Sequence, residues 1–116
     1  MKEAIAEKYG AGGPPIIPDK DGDFGCIYNP WYSGMDTDNT FFNMVGAVGT
    51  KGMLFGHMHK ESGSILYKNV RLTYVLKTGV DAISPDAAEA IGGTATTINL
   101  NDGTFKAEHI YQERYE

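Results

Sequence analysis

Ser64-Ile-Leu-Tyr-Lys-Asn-Val-Arg-Leu-Thr-Tyr-Val-Leu76 sets the fold class of this 116-residue chain. β-Branched and aromatic residues crowd both halves, Ser64 to Tyr67 and Val70 to Leu76, and such side chains suit the pleated surface of a strand. Lys68-Asn69 between them has the length and composition of a two-residue turn, so the segment reads as a β-hairpin.

Upstream of the hairpin, Met53-Leu54-Phe55 is a short apolar run bounded by Gly52 and Gly56, the pattern of a strand buried on both faces. Before it, Phe41, Phe42, Met44, Val45 and Val48 recur at helical spacing and predict a helix with one apolar face, capped by Asp36, Asp38 or Asn39 and ended by Gly49. Prolines, glycines and an acidic cluster between Gly10 and Ser33 show no clean periodicity and read as a long loop. Met1 to Tyr9 predicts a short helix with Ala4, Ile5 and Tyr9 on one side and Gly10 as a left-handed cap.

Downstream, Ser84-Pro85-Asp86 offers a capping hydroxyl, a proline at the first helical position and an acid in the first turn. A brief helix to Ile91 is expected, stopped by Gly92-Gly93. Thr94 to Leu100 and Thr104 to Tyr111 flank Asn101-Asp102-Gly103, a strong turn signal, and predict a second hairpin. The expected fold is a single α+β domain over residues 1–116, strand-dominated, with two or three short helices and a loop over 10–33.

A composition of 41% hydrophobic and 22% charged residues is that of a globular domain. The net charge of −5, with Lys and Arg scattered, argues against nucleic acid or an anionic membrane as partner and suits a bound cation. No apolar stretch approaches the roughly 20 residues that span a bilayer, and Met1 to Ala4 open no hydrophobic signal segment. A cytoplasmic location is therefore the default, left open if the chain derives from a longer secreted parent. One cysteine, Cys26, precludes an internal disulfide, offers no zinc-finger spacing and reads as a small, partly buried apolar residue.

The constellation with a specific chemical reading is Gly56-His57-Met58-His59. Neutral imidazole is a common metal ligand, and two residues spaced by one share a face of an extended strand. Gly56 lets the backbone turn so that both rings can converge. Taken alone, the pair fits a surface or structural role equally well.

The wider segment Lys51-Gly-Met-Leu-Phe-Gly-His-Met-His-Lys-Glu-Ser62 resembles the GHxH region of calcineurin-like metallophosphoesterases, including purple-acid-phosphatase-like members. Ile65 to Tyr74 and Lys77-Thr-Gly79 are similar to the strand pair that follows the motif in that family, and Gly92-Gly93 to Leu100 to the strand completing the sheet. The segment from Asn29-Pro30 through Gly49 looks like the loop and helix that lead into the motif.

The likeness covers roughly residues 26 to 112, with GHxH as its specific part. It implies half of a metallophosphoesterase β-sandwich and a parent enzyme that hydrolyses phosphate mono- or diesters with two divalent ions, Mn, Zn or Fe. His57 would ligate one ion and His59 the other. The family's DxH, GDxxD and GNH[DE] segments and its lone histidine, which complete the centre, have no match here. The expectation is a partial copy with an incomplete dinuclear site, binding metal weakly or not at all and inactive alone.

Lys60, Glu61 and Ser62 follow the histidines and are candidates to orient an imidazole from the second shell, against a reading as solvated loop residues. Tyr28, Trp31 and Tyr32 offer aromatic faces for a substrate groove, although packing under the long loop is the simpler role. Asp19-Lys20-Asp21-Gly22-Asp23 opens like a calcium loop, then places Phe24 and Pro30 where glycine and glutamate are needed, so it reads as an acidic solvated turn. His109, alternating with Glu108 and Ile110, reads as a surface histidine.

Two other function classes stand beside the phosphoesterase: a non-catalytic binding or assembly module, and a simple metal-binding domain using His57 and His59. A doubly buried strand whose neighbours lie elsewhere further implies a homo-oligomer or a complementary chain.

Overall fold

The computed structural model describes residues 2–10, 16–27, 40–56, 61–78 and 91–112. Its elements are helices α1 (Lys2–Tyr9) and α2 (Thr40–Ala47) and strands β1 (Gly52–Phe55), β2 (Ser64–Tyr67), β3 (Val70–Tyr74), β4 (Gly92–Asn99) and β5 (Thr104–Tyr111). The domain is α+β and strand-dominated. The expected helix over 84–91 and the caps at Asp36, Asp38 and Asn39 lie outside the described residues.

Both hairpins form where the sequence places them. β2 and β3 pair antiparallel with Tyr67 opposite Val70, and Lys68 and Asn69 both adopt positive φ, 47° and 65°, as a type I′ turn requires. β4 and β5 pair antiparallel from Gly92 opposite Tyr111 to Asn99 opposite Thr104. β1 joins the first hairpin in parallel to β3, giving the order β1-β3-β2.

Period-two alternation gives this sheet two unlike faces. Ile65, Val70 and Leu72 are buried on one face, where they cluster with Ala4 and Ile5 of α1 and with Ile17 and Ile27; Met53, Phe55, Tyr67 and Tyr74 pack around them. The other face carries Ser64, Arg71 and Thr73, and the Ser64 and Thr73 hydroxyls hydrogen-bond each other at 2.9 Å, which meets the cost of burying them. Phe105 of β5 lies over Gly52 on that side, where a Cβ would sit 2.4 Å from its ring. The sheet is thus held between α1 and the second hairpin.

Three expectations change. β1 is not buried on both faces: its residues are only partly buried and Leu54 is 50% exposed, and among the described residues it pairs with β3 alone. The apolar residues of α2 do not share one buried face, since Phe42 packs against the core while Phe41 and Met44 are 64% exposed. Residues 16–27 of the long loop carry no helix or named strand, yet they are tied to the sheet: Ile16 bridges Cys26, Phe24 bridges Ser64, and Ile17 and Ile27 are buried. Cys26 is partly buried, as its sequence setting predicts.

The largest correction is Asp23, read as part of a solvated turn and found 1% exposed. Lys8 Nζ stands 2.6 Å from its Oδ2 and Arg71 Nη1 2.8 Å from its Oδ1. The Tyr9 hydroxyl donates to Oδ2, and the Leu66 N–H donates to Oδ1 at 2.7 Å. One carboxylate therefore joins α1, the 16–27 arm, β2 and β3. Burial alone would raise its pKa, but the hydrogen bonds from Lys8, Tyr9 and Leu66 outweigh burial and hold it below the ordinary aspartate value. The Tyr9 phenol shifts the other way, raised by burial and by its bond to Asp23.

Replacing Asp23 with Asn leaves Arg71 without its anion and Lys8 with only the half-exposed Asp21, and should cost about 3–5 kcal/mol in urea denaturation, as loss of one partner of a buried ion pair does. Because the folded pKa lies below the unfolded one, the stabilisation is complete above pH 3.8 and is lost as the pH falls through the folded value. The Asn variant should therefore show a flatter acid limb than the wild type; parallel limbs would refute this account.

Candidate functional site

The strand order determines where the two histidines are attached. β1 and β3 run parallel with Phe55 beside Tyr74, while β2 begins with Ser64 beside Thr73 on the far side of β3. The connection from Phe55 to Ser64 therefore spans two strand spacings, about 9.6 Å, at the carboxyl end of two parallel strands. Open sheets with parallel strands bind ligands beyond such carboxyl ends. His57, His59 and Lys60 lie on this connection and outside the described residues, as do Tyr28, Trp31 and Tyr32.

Both flanks of the connection are fixed. On the near side, the Val75 N–H donates to Phe55 O at 2.9 Å, so sheet pairing continues to the residue before Gly56. On the far side, Tyr74 N–H donates to Gly63 O at 2.9 Å and Ser62 N–H to Cys26 O at 3.0 Å. The Ser62 hydroxyl accepts from the Cys26 N–H at 3.0 Å. Gly25 makes this approach possible: its φ is +91°, and a Cβ would stand 2.1 Å from Ser62 O.

Glu61 and Ser62 are not solvated loop residues, being 4% and 3% exposed. Ser62 acts as a structural clamp, its hydroxyl and backbone both bonded to the 16–27 arm. Glu61 keeps a carboxylate two residues beyond His59. It stands near Tyr74, whose phenol pKa is raised by burial and then by the Glu61 charge.

His109, read from sequence as a surface residue, is a further correction. Lys106 and Glu108 mark the outward side of β5, so alternation turns Phe105, Ala107 and His109 inward, where His109 is half-buried. Its Nε2 lies 2.6 Å from Ser62 O and its Nδ1 3.0 Å from Thr94 Oγ1, which in turn accepts the Leu76 N–H at 3.0 Å. The arrangement fits a neutral imidazole that donates from Nε2 and accepts at Nδ1. Burial lowers its pKa despite the opposing pull of the Ser62 carbonyl.

Among the described residues no group of three His, Cys, Asp or Glu side chains could hold a metal ion, and no helix is long and apolar enough to cross a membrane. No family model matches the chain, and no curated protein or solved structure matches it significantly.

Since the folded pKa of His109 is depressed, its contribution to stability is present above the unfolded value of 6.5 and declines as the pH falls through the folded one. NMR titration of its ring protons should give a midpoint below 6.5 that moves upward in Thr94→Val. His109→Ala should cost about 1–3 kcal/mol, because Ser62 O loses its partner in a buried setting. An unperturbed midpoint would contradict the network.

Proposed function

We propose that this chain supplies the two-histidine portion of a divalent-metal centre that hydrolyses phosphate mono- or diesters, as one half of a metallophosphoesterase-like sandwich. His57 and His59 are the ligands this chain contributes, and the remaining ligands come from residues that this sequence does not contain. The observation that carries the reading is the placement of Gly56-His57-Met58-His59 on a connection clamped at both ends beside the carboxyl termini of two parallel strands. The resemblance to the GHxH region of calcineurin-like metallophosphoesterases gives the chemistry.

The donor set fits such an ion in kind: two imidazoles suit Zn, Mn or Fe, although two ligands fall short of the four that close a structural site. When bound, the metal would polarise the phosphoryl group and acidify a water. The chain's own part in this reading is to supply two imidazole ligands from a connection whose flanks, at Phe55 and at Ser62, are hydrogen-bonded. In this reading Glu61, a buried carboxylate two residues after His59 in sequence, would help to orient an imidazole.

Calorimetry with Zn²⁺ and Mn²⁺ should detect weak binding that disappears in the His57→Ala, His59→Ala double variant and weakens below the ordinary histidine pKa, about 6.5, where the ligands take up protons. Equal binding by both proteins would remove the histidines from the centre. The chain by itself should hydrolyse chromogenic phosphate esters far below ordinary enzymatic turnover, roughly 1 to 1,000 per second. Ordinary turnover that is lost on chelation would overturn the partial-centre reading.

The same reading calls for a complementary chain or segment to carry the missing ligands, and β1 offers a place for it. Its outer edge has no strand partner among the described residues, and Leu54 on it is half exposed. Light scattering across a dilution series should show self-association through this surface in the absence of a partner, reduced by Leu54→Lys. A monomer of 12.6 kDa at every concentration would refute it.

A further inference from the structure

The second hairpin does not close fully on the polar face of the sheet. A groove of about 440 Å³ opens between β5 and the turn at Gly22 to Phe24, with Arg71 among its lining residues. That volume falls within the roughly 300–1,000 Å³ typical of small-molecule sites.

Its walls are aromatic and braced. Phe24 meets His109 edge to face with ring centroids 5.0 Å apart, and His109 meets Tyr111 likewise at 6.1 Å. Phe105 lines the same space and is seated over Gly52. These rings need little rearrangement to receive a flat partner, so little ordering cost opposes binding.

Arg71 and Lys106 are the cations of the lining; Lys106 is paired with Glu108, and Arg71 is oriented before any ligand arrives. Nη1 donates to Asp23 Oδ1 at 2.8 Å and Nη2 to Asp21 O at 2.7 Å, which fixes the guanidinium plane. Asp23 shares its charge with Lys8, and the Asp21 carboxylate is drawn to Lys8 Nζ at 3.0 Å. The carboxylate among the lining residues, Glu108, is held by Lys106 at 3.0 Å. A planar guanidinium beside aromatic rings is suited to a carboxylate or phosphate carried on a ring.

We propose that this groove binds a small flat aromatic compound bearing one oxyanion, with the ring against Phe24, Phe105 and Tyr111 and the oxyanion on the Arg71 guanidinium. Binding here requires neither His57 nor His59, and it is tested in the presence of a chelator, so its failure is separate from failure of the metal reading.

Amide NMR titrations of the full chain with naphthalene-2-carboxylate, 2-naphthol and acetate separate ring from charge. The carboxylate should shift the amides of Phe24, Arg71 and Phe105 to Tyr111, and should bind at least about tenfold more tightly than either of the others. Arg71→Lys should weaken it about tenfold, and the half-exposed Tyr111→Ser, which leaves the Asp23 network untouched, about threefold. Naphthalene-2-phosphate tells which oxyanion the groove prefers, and binding of either supports the site. Shifts confined elsewhere, equal affinity for 2-naphthol, absence of binding, or unchanged affinity in Tyr111→Ser would each overturn it.

Discussion

A carboxylate removed from water must find its full complement of partners within the fold, and Asp23 finds them on three other pieces of chain. The Leu66 N–H it accepts would otherwise face outward from the edge of β2, so the side chain replaces a missing strand at that point. Lys8 and Tyr9 bring α1 down on the apolar face, while Arg71 reaches the carboxylate from the polar face. Layers that hydrophobic burial alone would leave free to slide are given one register, because few arrangements satisfy both cations and the amide together.

The pairing of segments around this anion also accounts for the position of the histidine connection. With the 16–27 arm docked against β2, Ser62 and Gly63 are bonded on one side to Cys26 and on the other to Tyr74. Those contacts fix the far flank of residues 57–60, and the β1–β3 pairing fixes the near one.

Local signals were the legible part of the sequence. Lys68-Asn69 and Asn101-Asp102-Gly103 announced two hairpins, and Gly10 and Gly49 announced the helix ends with φ of 91° and 82°. Long-range placement was not legible. Asp23 sits in a run whose composition is that of a surface turn, and nothing local distinguishes it from Asp19 and Asp21; its burial follows from where Lys8 and Arg71 arrive in three dimensions. β1 has the composition of a central strand but is the outer one among the described residues, since an apolar run records a preference for burial and not the number of neighbours available. His109 was within reach, because Lys106 and Glu108 already marked the solvent side of its strand. The histidine pair lies outside the described residues, and the strand order gives only the positions of the two flanks between which it is connected, Phe55 and Glu61.

The two hairpins are joined to each other by unlike means. Within each, the hydrogen bonds are local in sequence and form a continuous ladder. Between them stand the ring of Phe105 over Gly52, the imidazole of His109 on Ser62, and the bridge from Lys77 to Ile91. Such an architecture divides into cooperative units of unequal protection, in which the outer ribbon can detach and reclose while the helix-covered sheet stays intact. Amide protons of the two ribbons then exchange with solvent through different openings, and the polar face of the sheet becomes reachable without global unfolding.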